Sequence, residues 1–331
     1  MKNTDNSLTV KSSSEQGMGK NLLGFINSNN TFFVFLILLI VSALLTNNFF
    51  TSQNITNLLR QNAPLGIVAL GMLMVILTGG IDLSVGAVVT LANIVFAYHL
   101  DHGYPVGAAL LITLAVGLLC GLLSGYLVAY QKLAPFVVTL AVMSIANGFA
   151  YIVSKGVSIS IKEPGFLLFS NTYIAGIPVQ FLIMLGLYIL MALIARYISY
   201  GRLVVAIGSN EEAVRLSGIR VNVHKLSVYC ISALSASVAG VLLTGRMGVG
   251  SPIVGSGMEL DAIAGAVLGG ASLAGGKGNI IKTIFGVYTL GIISNIMNLM
   301  QVPAYPQQVI KGVIIIAAIF LQKYSGGKES K

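Results

Sequence analysis

The stretch Tyr104-Pro-Val-Gly-Ala-Ala-Leu-Leu-Ile-Thr-Leu-Ala-Val-Gly-Leu-Leu-Cys120-Gly-Leu-Leu-Ser-Gly-Tyr-Leu-Val-Ala-Tyr130 holds no Asp, Glu, Lys or Arg. A helix needs about 20 mostly apolar residues to cross a bilayer, and this run is longer than a buried core helix requires. Its glycines and other small residues suit close helix approach in lipid. The rest of the chain agrees. Hydrophobic residues make up 56% and charged residues 9% of its 331 positions, against roughly 25% charged in a soluble domain. A soluble fold of this size would lack the charge to cover its surface.

Working outward from Tyr104–Tyr130, nine more spans are predicted. They are Phe32–Thr46, Ala63–Thr78, Ser84–Leu100, Leu133–Val153, Val179–Tyr197, Leu226–Gly245, Glu259–Leu273, Ile280–Met300 and Val309–Gln322. The fold class expected is all-α: a polytopic membrane protein of about ten transmembrane helices. Glycine and proline interrupt several spans, as at Pro64, at Thr78-Gly79-Gly80-Ile81-Asp82 and at Gly269-Gly270. Such breaks cannot face lipid and must be covered by protein or line a cavity. A transporter needs a cavity.

The net charge of +9 does not indicate nucleic acid, because the basic residues lie between apolar spans without an aromatic-interleaved face. With the amino terminus in the cytoplasm, 14 fall inside: Lys2, Lys11, Lys20, Lys132, Arg196, Arg202, Arg215, Arg220, Lys225, Lys277, Lys282, Lys323, Lys328 and Lys331. Arg60, Lys155, Lys162 and Arg246 fall outside, and Lys311 lies within the last span. That bias follows the positive-inside rule and expects both termini in the cytoplasm. Met1–Asn30 reads as a disordered cytoplasmic tail with no cleavable signal peptide. Residues 323–331 read as a second cytoplasmic tail. Cys120 and Cys230 sit in apolar runs and read as small core residues rather than a disulfide. His99, His102 and His224 are scattered and give no metal site.

The longest cytoplasmic connection is residues 198–225. Within it, Asn210 is placed as an N-cap. Glu211 and Glu212 occupy the first turn, where they favour the helix dipole, and Gly218 is placed as a left-handed C-terminal cap. Ala213, Leu216 and Ile219 form a small apolar stripe; Arg215 and Ser217 complete the element. A helix this short needs a partner surface. Local physics leaves two partners open: a groove on another protein, or the membrane end of its own chain. Asp82-x-x-x-Gly86-Ala-Val and Asp261-x-x-x-Gly265-Ala-Val share a pattern in spans of opposite direction. A five-plus-five inverted repeat would produce that; two helix N-caps that merely look alike would too.

Tyr200-Gly201-Arg202…Gly208-Ser209-Asn210-Glu211-Glu212-Ala213…Leu216-Ser217-Gly218-Ile219 resembles the cytoplasmic coupling loop of the ribose-type sugar permeases of ABC importers. Leu77-Thr78-Gly79-Gly80-Ile81-Asp82-Leu83-Ser84-Val85-Gly86 resembles that family's stretch after span two. Glu259-Leu260-Asp261…Leu268-Gly269-Gly270…Gly275-Gly276-Lys277-Gly278 resembles its eighth span and glycine loop, and Gln307…Val309-Ile310-Lys311-Gly312 its last span. The order holds from about Phe50 to Gln322. One departure is Asn147-Gly148, where relatives carry Arg-Gly.

The resemblance implies a permease domain over residues 31–322, paired with a second permease subunit as a homo- or heterodimer. It implies two ABC ATPase subunits docked on Asn210–Gly218, an extracytoplasmic sugar-binding protein, and a place in the bacterial inner membrane. ATP would be held by the partner, with no cofactor and no catalytic residue in this chain. Ala271-Ser-Leu-Ala-Gly-Gly276-Lys277-Gly278 fails the phosphate-loop pattern at its first and last positions and reads as a turn. Among intramembrane polar residues, Asn93, Asn147 and Asn298 are read as lining the substrate pathway, with helix–helix hydrogen bonding the alternative for these and for Asn295. Asp82, Ser84, Gly86, Asp261 and Gly265 are read as structural, capping or gating; Lys311 as snorkelling. Rival readings are a branched-chain amino acid or nucleoside permease of the same architecture, and an ion-coupled secondary transporter, which would want paired carboxylates or a His relay. An intramembrane enzyme is disfavoured: no Ser–His pair on neighbouring spans and no H-E-x-x-H is present.

Overall fold

The computed structural model describes residues 30–326, so most of the two terminal tails and Lys2, Lys11, Lys20, Lys328 and Lys331 lie outside the described residues. Thirteen helices follow one another among the described residues. They are α1 (Asn30–Leu45), α2 (Ser52–Leu77), α3 (Val85–Asp101), α4 (Val106–Ala129), α5 (Pro135–Ser154), α6 (Pro164–Ser170), α7 (Val179–Tyr197), α8 (Ser199–Ser209), α9 (Glu211–Leu216), α10 (Val221–Met247), α11 (Met258–Leu268), α12 (Ile280–Leu299) and α13 (Ala304–Gly326). Six of them, α2, α4, α5, α7, α10 and α12, are long and apolar enough to cross a membrane; α3 and most of α1 are shorter apolar helices. The chain is a mostly helical, multi-pass membrane protein. The all-α expectation needs one amendment. Four two-residue strands occur: β1 (Ile159–Ser160), β2 (Tyr173–Ile174), β3 (Ile177–Pro178) and β4 (Val249–Gly250), pairing as β1–β4 and β2–β3, both antiparallel.

The core forms around α2 and α10, whose middle turns are buried along most of their faces. By contrast, α4, α5 and α7 bury a single face. Their outward residues, such as Leu111, Leu119, Ile152 and Leu193, are apolar and exposed, as lipid requires. Helix α4 meets α10 along Gly117, Gly121 and Gly125, where an added β-carbon would strike Ser237, the Cys230 backbone and the Leu226 backbone. Small residues at four-residue spacing let two membrane helices touch through their backbones. Cys120 and Cys230 are free thiols, half-buried on these two helices.

Hydropathy alone places the helix ends poorly. Helix α2 begins at Ser52 rather than Ala63, because Thr51 accepts from the Asn54 N–H at 3.3 Å and starts the helix in a polar stretch. Span eight differs most. It is not one continuous helix over Glu259–Leu273: α11 stops at Leu268, and Gly270 follows at φ +88°. Before it, the chain from Gly250 to Gly257 runs back along α3 instead of leaving at its end. Gly250 lies against Ala97, Ser251 donates its N–H to Asn93 Oδ1 (2.6 Å), Gly255 donates to Thr90 Oγ1 (3.0 Å), and Gly255 presses on Gly86. From Ala97 to Gly86 is about 16 Å at 1.5 Å per residue. Non-helical backbone at such depth is stable only where protein supplies its hydrogen bonds, and here two α3 side chains supply them.

Candidate functional site

Helix α9 is built as its sequence requires. Asn210 accepts the Ala213 N–H at 2.9 Å, and the Ser217 hydroxyl donates to the Ala213 carbonyl. Gly218 sits at φ +80° with open space around it. No residue of the helix is buried. Ala213 is exposed and Leu216 is 80% exposed, while Ile219 is half-buried. Ala213 and Leu216 of the apolar stripe therefore find no cover among the described residues.

Glu211 anchors this helix. Its carboxylate accepts from Lys225 Nζ at 2.6 Å and Arg215 Nη2 at 2.8 Å, with Lys132 Nζ 3.6 Å away. Partial burial disfavours its charged form. The hydrogen bond and charge of Lys225, the charge of Lys132 and the hydrogen bond from Arg215 outweigh that and hold Glu211 below its ordinary pKa. Among the described residues Glu212 pairs only with Arg215, at 2.9 Å. Lys132 and Lys225 are ion-pair partners of Glu211 with no signal in the local sequence, since they lie 79 and 14 residues from it.

The preceding helix α8, which sequence reading treated as loop, ties α9 to the core. A β-carbon on Gly208 would land on the Leu77 carbonyl oxygen, and Gly276 donates its N–H to that same oxygen at 3.0 Å. Gly275 (φ +87°) and Gly276 (φ +70°) pack on Gly208, Gly79 and Ser209. Three segments distant in sequence, 77–79, 208–209 and 275–276, thus meet backbone to backbone. The stretch resembling a phosphate loop is one wall of this junction. Just beyond Gly80, Asp82 is fully buried and accepts from the Ser84 N–H (3.0 Å), the Ser84 hydroxyl (2.6 Å) and the Ser232 hydroxyl (2.9 Å).

The remaining polar residues are dispersed. Asn93 is buried, donating to Thr244 Oγ1 (2.6 Å) and accepting from Ser251, so it braces α3 to α10 and to the returning segment. Asn147 is half-buried on α5, and Asn298 is exposed at the end of α12, accepting from Gln307 at 2.9 Å. The three do not come together. Asn295 and Asn54 exchange two amide hydrogen bonds between α12 and α2. Gly86 abuts Glu259 and Gly255; Gly265 abuts Val287.

Two assignments are corrected. Asp261 is not an N-cap: Gly257 holds that position, and Asp261, four residues on, pairs with Lys311 at 3.0 Å. Lys311 accordingly donates to a carboxylate of its own chain in place of the expected snorkelling. His99, His102 and His224 each place Nδ1 at the carbonyl four residues earlier.

A family model described as branched-chain amino acid transport system / permease component matches residues 54–319. The chain is 37% identical over 302 residues to the ribose import permease protein RbsC of Bacillus subtilis (strain 168), covering 91% of this chain and 94% of that one. It is 38% identical over 290 residues to the ribose import permease protein RbsC of Escherichia coli (strain K12), covering 86% and 90%. The D-allose transport system permease protein AlsC of the same strain is 34% identical over 316 residues, covering 95% and 97%. No solved structure matches the chain.

Proposed function

The chain belongs to the family of branched-chain amino acid transport system permease components, and from that membership we propose that it is the membrane-spanning permease subunit of an ABC importer for a monosaccharide. Ribose or a similar small sugar is the cargo, since the relatives named above are ribose and allose permeases. The family description also covers branched-chain amino acids, but none of those three relatives carries that name. The subunit is not itself an enzyme. ATP is hydrolysed by two partner ATPases, and an extracytoplasmic binding protein delivers the sugar to a homo- or heterodimer of permeases in the bacterial inner membrane. Ten crossings in two five-span halves, with both termini cytoplasmic, account for the inside bias of Lys and Arg.

The observation that carries the reading is α9: a helix capped at both ends, braced at Glu211 and left uncovered at Ala213 and Leu216. An ATPase groove would take that apolar stripe. The glycine junction would pass its displacement to the end of α2. In purification from native membranes an ATPase is expected to accompany the wild-type chain. Gly218→Trp forces a bulky side chain into a left-handed position. It should abolish ATP-driven uptake and ATPase recovery while the protein remains in the membrane. Normal uptake by that variant would overturn the coupling role.

A further inference from the structure

At the end of α2 and α10 far from α9, Arg60 and Arg246 line one cleft with Asn57 and Gln61, enclosing a cavity of about 260 Å³. Arg60 lies 17 residues before Leu77, about 25 Å along the helix from the glycine junction. Each guanidinium is held in place by one neutral acceptor. Arg60 Nη2 donates to Asn171 Oδ1, and Arg246 Nη1 donates to the Gln61 carbonyl at 3.2 Å. Neither has a carboxylate within ion-pair reach among the described residues, and Arg60 Nε is buried with no hydrogen-bond partner.

Two like charges sharing a partly desolvated cleft repel each other. Arginine cannot relieve the repulsion by losing its proton. A buried donor without a partner adds a further cost. Contacts with Asn171 and Gln61 fix the direction of both forks but supply no negative charge. A neutral sugar would satisfy donors and leave the repulsion in place. An anion with two oxygens answers both needs, because guanidinium forks match such groups in geometry as well as charge.

We propose that this cleft is an oxyanion site, taking a carboxylate, sulfate or phosphate group between Arg60 and Arg246. Its occupant is either a dissolved anion or an acidic side chain presented by an extracytoplasmic protein. The inference does not rest on the coupling role of α9.

The test uses the full chain in lipid nanodiscs, with thermal midpoint followed against sulfate and against acetate, chloride holding ionic strength constant. The wild type should rise saturably with both. Arg246→Gln and Arg60→Gln should each weaken the apparent sulfate affinity by about tenfold, the worth of one charge-assisted hydrogen bond. Lys162→Gln, which removes a surface pair with Asp101 outside the cleft, should leave it unchanged. If one arginine variant fails to assemble, the other carries the comparison. No saturable rise, an equal rise in the Arg60→Gln/Arg246→Gln double variant, or a rise with ribose and none with either anion would overturn the site. Uptake in native vesicles separates the sources. Inhibition by sulfate marks a partner's side chain that sulfate displaces; unchanged uptake alongside saturable binding marks a dissolved anion.

Discussion

Asp82 and Glu211 stand on either side of the glycine junction and are held in opposite ways. Asp82 is buried and satisfied by two serine hydroxyls and one backbone N–H, with no cation in contact among the described residues. Glu211 is partly exposed and surrounded by Lys225, Arg215 and Lys132. Short hydroxyl bonds fix Asp82 to one geometry, since each bond weakens steeply when bent. Ion pairs on long, flexible side chains keep much of their energy as the partners shift. Asp82 is thus a fixed point, and Glu211 a tether that tolerates movement. Asp261, half-buried with Lys311, falls between.

Replacing Asp82 by Ala attacks the fixed point and should have the largest effect. It strands Ser84 and Ser232 as buried donors, costing about 3 kcal/mol or more, read as a lowered thermal midpoint of the purified protein. A loss no larger than that of a surface substitution would erase the contrast. The intermediate case is a double-mutant cycle on Asp261 and Lys311. Lys311→Met alone should cost about 1–2 kcal/mol, between exposed and buried pairs. Asp261→Asn added to it should cost little more, and additive losses would show that the pair is not coupled. Glu211→Gln should have the smallest effect, below about 1 kcal/mol after solvent screening. Because the folded pKa of Glu211 lies below its unfolded value, its contribution is present above the unfolded carboxylate range, near 4.3. It is lost as pH falls through the folded value. Hydrogen exchange across Ala213–Ser217, compared with Glu211→Gln at each pH, should differ at neutral pH and converge in acid. Convergence at neutral pH would remove the tether.

How much of this was legible depended on whether the signal was local. The caps Asn210 and Gly218 were readable because both act within four residues. The membrane class was readable because hydropathy sums over a span. The start of α2 was not: its first turns are polar, and the helix is set by Thr51 and by packing. The returning segment before α11 was hidden because its hydrogen-bond partners, Thr90 and Asn93, lie more than 150 residues away. The same distance hid the partners of Asn93, whose amide bonds the Thr244 hydroxyl and the Ser251 N–H. The shared pattern at Asp82 and Asp261 promised equivalent positions. Asp82 precedes its helix by three residues and Asp261 is the fourth residue within its own.

The glycine junction and the bare helix beside it place different limits on sequence drift. At Gly208, Gly275 and Gly276 backbones touch without side chains between them, so substitution there is closed whatever the partner. In α9 no residue is buried by its own chain. The outward positions Ala213 and Leu216 can therefore be exchanged without repacking the interior. Under the proposed coupling role, partner choice would rest on a cassette of a few residues, mounted on a socket whose close backbone contacts leave no room for a side chain. On that proposal, swapping residues 212–217 between related chains, with Glu211 kept in place, would exchange one ATPase partner for another and leave the cargo route alone.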